Sequence, residues 1–310
     1  MERKDTLFNP LAAVLLGVAA VAFSSIFTKL ATAPPLVIAF YRLAFTVGLL
    51  TPLALNSAGR RELRVIKRSD LGMAVLAGAF LALHFSVWIT SLNYTSVASS
   101  TVLVTMQPLF VFTGGVLFLQ EKISARGMAG AAIALAGSVL IGINDFQLGG
   151  TALKGDILAF SGAFFVAVYM MIGRKLRSGL SLFPYVFVVF GSAAAVLLIF
   201  NLASGTRLYP YPALDWLWFF ALAVVPTIFG HTVFNWALRY VKAAVVSVSI
   251  LGEPVGATVL AYFIFREIPG LLQMAGGITV IFGLCLFISS VKNQVLDPQT
   301  AKSNTTKDEQ

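Results

Sequence analysis

The chain consists of long apolar runs separated by short polar connections. Residues 71–120 contain no Asp, Glu, Lys or Arg. Since one membrane crossing needs about 20 residues, this run is long enough for two, and the polar cluster from Ser91 to Ser96 is the natural turn. The same criterion predicts ten helical spans, which we number 1 to 10: 11–30, 36–55, 71–91, 97–119, 127–143, 157–174, 182–202, 215–237, 243–265 and 270–290.

The connections between the spans are short, with four exceptions: a basic loop 56–70, a glycine-rich link 144–156, a Pro/Tyr-containing link 203–214 and a polar tail from Asn293 to Gln310. The tail has too few apolar residues to bury, so we expect it to be disordered. For the N-terminal apolar run the alternative is a cleaved signal peptide. The uncharged stretch from Thr6 to Thr28 is longer than the roughly 7–15 apolar residues of such a peptide, which favours a span.

The composition is that of an integral membrane protein. Hydrophobic residues make up 58% and charged residues 11% of the chain, and the mean hydropathy is +0.88, whereas soluble proteins carry roughly 25% charged residues. The single cysteine, Cys285, excludes a disulfide framework and a cysteine metal cluster. Because it lies in an apolar span, we expect it to be a packing residue.

The two halves of the chain repeat each other with a shift of 146 residues. The recurring positions are Tyr94, Ala98, Val102, Pro108, Glu121, Met128, Ala129, Gly130, Gly137 and Leu140, found again as Tyr240, Ala244, Val248, Pro254, Glu267, Met274, Ala275, Gly276, Gly283 and Leu286. Each half has five spans, an odd number, so the second half enters the membrane inverted. We therefore predict an all-α membrane protein with ten transmembrane helices, built as two inverted five-helix repeats around a central cavity. The predicted segments are a first repeat 1–145, a linker 146–156, a second repeat 157–290 and a disordered cytoplasmic tail 291–310.

The net charge of +9 reflects an asymmetry between the loops. If the N-terminus is cytoplasmic, the inner side holds 17 basic residues, namely Arg3, Lys4, Arg60, Arg61, Arg64, Lys67, Arg68, Lys122, Arg126, Arg174, Lys175, Arg177, Arg239, Lys242, Lys292, Lys302 and Lys307. The outer side holds 3, namely Lys154, Arg207 and Arg266. This bias predicts a multi-pass protein of the plasma (inner) membrane with both termini cytoplasmic. The sequence contains no known nucleic-acid-binding module. The basic residues of the inner side are suited to contact with anionic lipid.

Spans 4 and 9 carry the same polar interruption, Gln107-Pro108 and Glu253-Pro254. Each proline lacks an amide hydrogen and disrupts the bond to the carbonyl four residues earlier, which exposes a backbone acceptor beside a polar side chain. The alternative is a kink that only helps the helices to pack. Recurrence in both halves favours a functional break.

Glu253 is the main candidate for a residue that binds and releases a proton or another ion. It lies 11 residues beyond Lys242, about 16 Å along a helix, which is close to the middle of a ~30 Å hydrocarbon core. A carboxylate at this depth faces the bundle interior or water. The alternatives are a fixed ion pair, or a protonated side chain bonded to a backbone carbonyl.

Polar side chains on other spans are candidates for the cavity wall. His84 and Trp88 share one face of span 3, and His231 and Asn235 share one face of span 8. Arg42 either pairs with Glu253, binds a solute carboxylate or snorkels outward. The complete candidate binding set is Ser24, Tyr41, Arg42, His84, Trp88, Gln107, Tyr169, His231, Asn235 and Glu253. The glycine-rich spans 5 and 10 favour close helix contact and are expected to brace the halves.

Three motifs carry a resemblance to a known family: Phe40-Tyr41-Arg42, Gln107-Pro108 followed by Glu121, and Gly252-Glu253-Pro254 followed by Glu267. With them the chain resembles the ten-helix EamA-type members of the drug/metabolite transporter superfamily over about residues 10–290. Where such members often have Gly-Glu, this chain has Gln120-Glu121 and Arg266-Glu267. The resemblance implies a cavity lined by spans 1, 3, 4, 6, 8 and 9 and export of small organic solutes.

The predicted function is a secondary transporter that works by alternating access, an exporter of amino acids or related metabolites with protons as the candidate coupling ion. The alternatives are an importer or exchanger of another metabolite or drug, an intramembrane enzyme, and a sensor. Neither a Walker loop nor a His-Glu-x-x-His or Gly-x-Ser-x-Gly motif occurs in the sequence, which argues against an ATP-driven pump and an enzyme. The expected partners are a small solute and the lipid bilayer, without cofactor, metal or nucleic acid, in a monomer or weak homo-oligomer.

Overall fold

The structure, a computed structural model, describes residues 8–119, 121, 123–143, 150–266 and 268–296, without the side chains of 292–296. Several predictions concern residues outside these ranges. They include the tail beyond residue 296, the linker up to residue 149, Glu267 and five of the basic residues assigned to the inner side, namely Arg3, Lys4, Lys122, Lys302 and Lys307.

Ten helices in the described residues are long and apolar enough to cross a membrane, which confirms the predicted spans. Their bounds are Pro10–Leu30, Pro35–Ala54, Arg68–Ser91, Val97–Phe118, Ala125–Gly142, Gly150–Arg177, Leu182–Ala203, Ala213–Ala237, Ala243–Phe265 and Leu271–Val291. The last helix continues to Leu296. The cluster from Ser91 to Ser96 does form the turn between spans 3 and 4.

Two segments expected as connections are partly helical. The basic loop contains a short helix, Ser57–Val65, because the Asn56 side chain accepts the Gly59 amide at 2.8 Å and so caps its first turn. We call it the basic helix. In the glycine-rich link, span 6 begins at Gly150, so the link's second half continues the helix.

Several spans are interrupted. Span 4 is divided into Val97–Val104 and Gln107–Phe118, and span 9 into Ala243–Ile250 and Glu253–Phe265. Both breaks coincide with the predicted proline positions. Span 1 changes segment at Ala22, and span 8 contains a ten-residue π-helix, Ala223–Thr232.

The spans of the two halves interleave. Span 3 packs along spans 6 and 7, span 2 along span 7, span 1 along span 8, and span 4 meets span 9. We call the end with connections 55–67, 178–181 and 238–242 the inner end, after the charge-based prediction. The opposite end, with connections 31–34, 92–96 and 204–212, is the outer end.

Spans 5 and 10 pack closely along each other, as their glycines predict. A Cβ atom on Gly137 would lie 2.6 Å from the Val280 amide nitrogen, and one on Gly276 would lie 2.7 Å from the Gly137 carbonyl oxygen. Only glycine allows the two backbones to approach this closely. On the same span, the prediction for Cys285 is wrong, because its side chain is exposed on the outside of the bundle instead of packed.

Candidate functional site

A small cavity lies at the centre of the bundle, between the breaks of spans 4 and 9. Its volume is about 40 Å³, which accommodates about three water molecules. Residues of spans 1, 3, 4, 6, 8 and 9 line it, the set that the resemblance implies: Val21, Ser24, His84, Phe85, Trp88, Val104, Thr105, Gln107, Val166, His231, Phe234, Ile250 and Glu253. The centre is therefore contracted and must widen to hold an organic solute.

The two helix breaks place a polar side chain on each side of the cavity. Gln107 and Glu253 are the first residues of the second helical segments of spans 4 and 9. Each is followed by a proline, which is tolerated there because the amides of the first helical turn have no partner within the helix. Since the N-terminus of a helix carries partial positive charge, a carboxylate in the first turn is stabilised there. Glu253 has this advantage, and the Gln107 Oε1 atom, buried, has no hydrogen-bond partner in the described residues.

Glu253 is the acidic side chain among the described cavity-lining residues. It is 7% exposed. Among the described residues one salt bridge lies within 4.0 Å, at the inner end, so the charged atoms of Glu253 and Arg42 are farther apart than that. The fixed ion pair that the sequence left open is thus not formed in this conformation.

Arg42 is completely buried behind the cavity wall. Its Nε atom donates to Thr227 Oγ1 at 2.7 Å and its Nη1 atom donates to Ser24 Oγ at 2.8 Å. The guanidinium also lies 4.2 Å from the ring centroid of Phe85, a cation–π contact. Nη2 has no partner among the described residues. Arg42 therefore does not snorkel outward, and its hydrogen-bond acceptors are neutral.

The π-helix of span 8 presents Thr227 to Arg42. Pro226 cannot donate to the carbonyl of the preceding turn, and the Thr227 hydroxyl donates to the Leu222 carbonyl at 2.7 Å. Thr232 repeats this five-residue pattern on the Thr227 carbonyl, at 3.1 Å. Sequence reasoning missed this widening, although Pro226 followed by Thr227 within an apolar span was a signal for it.

Aromatic rings form much of the cavity wall. The rings of His84 and Trp88 are parallel with centroids 6.1 Å apart, and His231 lies 6.4 Å from His84. His84 Nδ1 lies 3.0 Å from the Gly162 carbonyl oxygen, a partner that requires the hydrogen on Nδ1. The indole Nε1 of Trp88 is buried without a partner in the described part of the chain. It is a free donor next to the cavity.

Tyr169 and Asn235 lie one layer behind the wall. The Asn235 amide donates to the Tyr169 hydroxyl and, at 2.7 Å, to the His231 carbonyl. The Tyr169 ring centroid is 6.3 Å from that of His231. The two residues therefore support His231 in this conformation and do not line the cavity.

Tyr41 is placed away from the centre. Its hydroxyl donates to the Leu208 carbonyl at 2.9 Å, and its ring stacks on Phe219 with a centroid distance of 5.2 Å. The ring of Trp216 meets it edge-on at 4.7 Å. Of the candidate set, Ser24, His84, Trp88, Gln107, His231 and Glu253 line the cavity, whereas Tyr41 belongs to an aromatic cluster at the outer end.

A second and larger cavity, of about 570 Å³, opens at the outer end. We call it the vestibule. It is lined by residues of spans 1, 4, 9 and 10 and of the adjoining connections: Ile26, Lys29, Ser96, Val97, Ala98, Thr101, Pro254, Ala257, Thr258, Ala261, Phe265, Ile268, Pro269 and Gln273. Pro254, the sequence neighbour of the cavity residue Glu253, lies at the inner limit of the vestibule, so the two cavities are close together along span 9. Sequence reasoning did not anticipate it.

At the inner end, polar contacts hold span 6 to the first half and to the end of span 8. Arg174 at the end of span 6 forms an ion pair with Glu121 at 3.0 Å and donates to the Leu238 carbonyl at 2.6 Å. Arg177 donates to the Asn235 carbonyl at 2.9 Å. Partial burial lowers the pKa of the nearby Lys242 ammonium below its ordinary value, and Glu121 opposes that shift. Polar contacts thus fill the inner end, whereas the larger cavity lies at the outer end.

The described residues contain no group of three or more His, Cys, Asp or Glu side chains that could hold a metal ion. His84 and His231 approach each other, but each belongs to the aromatic wall. The chemistry available at the centre is therefore binding by one carboxylate, uncharged donors and aromatic faces.

Comparisons with known proteins agree with this architecture. The model of the EamA-like transporter family matches residues 9–143 and 153–289, one match for each half. An uncharacterized transporter of Archaeoglobus fulgidus is 26% identical over 275 residues, which cover 89% of this chain and 94% of that protein. A protein of Pseudomonas aeruginosa named pseudopaline exporter is 24% identical, over 84% of this chain and 88% of its own length.

The fold also matches a solved crystal structure, with a TM-score of 0.69 and 17% identity over 89% of this chain and 97% of that chain. At this identity the match concerns the fold alone. The double family match covers both five-span halves and nearly the whole bundle. The chain belongs to the EamA-like transporter family and is a multi-pass membrane transporter, not an enzyme.

Proposed function

We propose that this transporter is a secondary exporter of amino acids or related metabolites in the plasma membrane, with both termini cytoplasmic, and that Glu253 exchanges a proton during the transport cycle. Solutes bind in the widened central cavity. The proposed binding residues are those that line it, with Arg42 reached once the cavity opens.

The observation that carries the proposal is the presence of a buried cation and a buried carboxylate that are not paired with each other. Arg42 has an unpartnered Nη2 atom and only neutral acceptors, and Glu253 lies at the cavity wall. Uncompensated buried charges cost several kcal/mol each. A zwitterionic amino acid offers a carboxylate to the first and an ammonium group to the second, so its binding relieves both.

The aromatic wall defines the remainder of the solute. Phe85, Trp88 and Phe234 surround the cavity, and such rings favour an apolar or aromatic side chain. Medium-sized apolar amino acids such as leucine therefore fit the proposal best. A relative named pseudopaline exporter supports export as the direction. Import or exchange of another metabolite or drug is the alternative.

Coupling is assigned to Glu253 because a carboxylate at a helix break can change its solvation when the cavity opens to the other side. Gln107 occupies the equivalent place in the first half and cannot titrate. One half thus provides a fixed polar contact, and the other provides a contact that binds or releases a proton.

The test uses purified protein in liposomes with an imposed pH difference and radiolabelled leucine. We expect the unmodified protein to accumulate leucine against its gradient. Glu253→Gln should abolish accumulation and keep downhill exchange, because the amide keeps the size and polarity of the side chain but cannot bind and release a proton. Gln107→Ala, the matched change in the other half, should weaken binding and leave the pH dependence intact. Uphill accumulation by Glu253→Gln would make Glu253 a structural residue.

A further inference from the structure

The vestibule holds one charged side chain among its described lining residues, Lys29 at the end of span 1. Its Nζ atom donates to the Leu92 carbonyl at 3.0 Å. An ammonium group has three donors, and the Lys29 side chain is exposed. Lys29 therefore has donor capacity left on the side of the cavity.

The inverted repeat assigns Lys29 a structural counterpart. Spans 1 and 6 correspond with a shift of 145 residues: Val21 and Val166 both line the central cavity, and Gly17 faces Phe234 as Gly162 faces Trp88. Trp88 and Phe234 are themselves related by the 146-residue shift of the repeat. The same correspondences relate Lys29 to Arg174 and Leu92 to Leu238.

The contacts of the two cations follow this correspondence. Arg174 donates to the Leu238 carbonyl, as Lys29 donates to the Leu92 carbonyl. At the inner end, Arg174 in addition binds the Glu121 carboxylate at 3.0 Å. Arg174 therefore binds a carboxylate and a backbone carbonyl at the same time, and the position of Lys29 allows the same combination.

We infer that Lys29 is the specificity-determining residue of a second solute site, in which the vestibule receives the carboxylate of an amino acid on the way between the outer surface and the central cavity. The volume of about 570 Å³ lies in the range of small-molecule sites. Apolar side chains such as Ile26, Val97 and Ala257 surround the solute body. This inference rests on the proposed function, since it takes the solute to be an amino acid.

The experiment measures binding without transport. A cysteine is introduced at Ala261, which lines the vestibule, in a Cys285→Ser background, and the protein is placed in nanodiscs where both faces are accessible. The rate of maleimide alkylation is then recorded with leucine or with leucinamide, which lacks the carboxylate. We expect leucine to slow alkylation and leucinamide to have little effect.

The matched variants are Lys29→Arg, which keeps the charge, and Lys29→Gln, which removes it. Lys29→Arg should retain protection by leucine, whereas Lys29→Gln should weaken the apparent affinity by about tenfold, the loss of a charge-assisted hydrogen bond. Equal protection by leucine and leucinamide, protection unchanged in Lys29→Gln, or no protection of the Lys29 protein would overturn the inference.

Glu267 is the sequence counterpart of Glu121, so Glu267→Gln serves as a further control. Retained protection by leucine supports a solute site at Lys29. Loss of protection as in Lys29→Gln would show that Lys29 acts through the chain's own carboxylate. The proposed function fails separately if leucine protects the Ala261→Cys variant with Lys29 intact in nanodiscs, yet the unmodified protein does not transport leucine in liposomes.

Discussion

At the scale of single residues, Arg42 shows how a charge is kept inside the membrane. It is enclosed by two hydroxyl acceptors and an aromatic face, and each comes from a different span: Ser24 from span 1, Thr227 from span 8 and Phe85 from span 3. Arg42 therefore connects helices of both halves at the level of the cavity. The buried guanidinium is stabilised by neutral hydroxyl acceptors and a ring face. Because no carboxylate in the described part of the chain neutralises its charge, the charge remains available to a solute.

Removal of one acceptor should destabilise the protein. Thr227→Ala deprives Arg42 Nε and the Leu222 carbonyl of their partner, and an unsatisfied buried donor costs about 1–3 kcal/mol. We expect a lower midpoint of thermal unfolding in detergent. Thr227→Ser keeps the hydroxyl and should remain close to the unmodified protein. Equal midpoints for the two variants would show that the Thr227 hydroxyl does not stabilise Arg42.

At the scale of helices, two groups of spans differ in their continuity. Spans 1, 4, 8 and 9 are interrupted or widened, and all four border the central cavity. Spans 5 and 10 are continuous and pack tightly on each other through glycine. Interrupted helices have backbone groups and bends that can rearrange, whereas a close glycine contact resists separation. Spans 5 and 10 therefore provide a fixed support for spans 1, 4, 8 and 9.

The support of spans 5 and 10 should be sensitive to a single methyl group. In Gly137→Ala the new Cβ would meet the Val280 amide nitrogen at 2.6 Å and the Gly276 carbonyl oxygen at 2.8 Å. These are backbone atoms that cannot rotate away, so we expect a loss of about 1–3 kcal/mol, the usual cost of overpacking. The measurement is the folded fraction on size exclusion after heating.

Gly191→Ala on span 7 is the matched control, because nothing lies within 4 Å of its added Cβ. It should behave like the unmodified protein. If Gly137→Ala also survived heating as the control does, the two spans would be loosely packed and the bracing role would be wrong.

At the scale of the whole molecule, the two ends differ. At the inner end the Arg174–Glu121 ion pair joins the two halves and Arg177 binds the end of span 8, while the outer end has a vestibule that reaches to Pro254. The halves are related by an inverted repeat, so the opposite arrangement, closed outside and open inside, is accessible by exchange of their conformations. This is the alternation that transport requires.

The absolute orientation is predicted from the charge asymmetry and can be measured with two matched serines. Ser57 begins the basic helix at the inner end, and Ser204 lies in the outer connection; both are exposed. In a Cys285→Ser background, an impermeant thiol reagent added to intact cells should modify Ser204→Cys and not Ser57→Cys. The reverse labelling pattern would invert the topology, and both cysteines should react after permeabilisation.

The sequence by itself determined the number of spans, their bounds to within a few residues except the start of span 6, and the breaks at Pro108 and Pro254. These properties are local: apolar length sets a crossing, and a proline removes its own amide hydrogen wherever the chain places it. The pairing of spans 5 and 10 was also predictable, because small residues leave a visible pattern.

Only the tertiary structure decided which polar groups meet. Tyr41 and Arg42 are adjacent in sequence, yet Tyr41 joins an aromatic cluster at the outer end and Arg42 turns to Ser24 and Thr227. The vestibule and the ion pair at the inner end likewise join residues more than fifty positions apart. Such contacts depend on how helices are rotated and tilted against each other, and on which conformation of the two halves is adopted, and neither property is encoded in the periodicity of a single span.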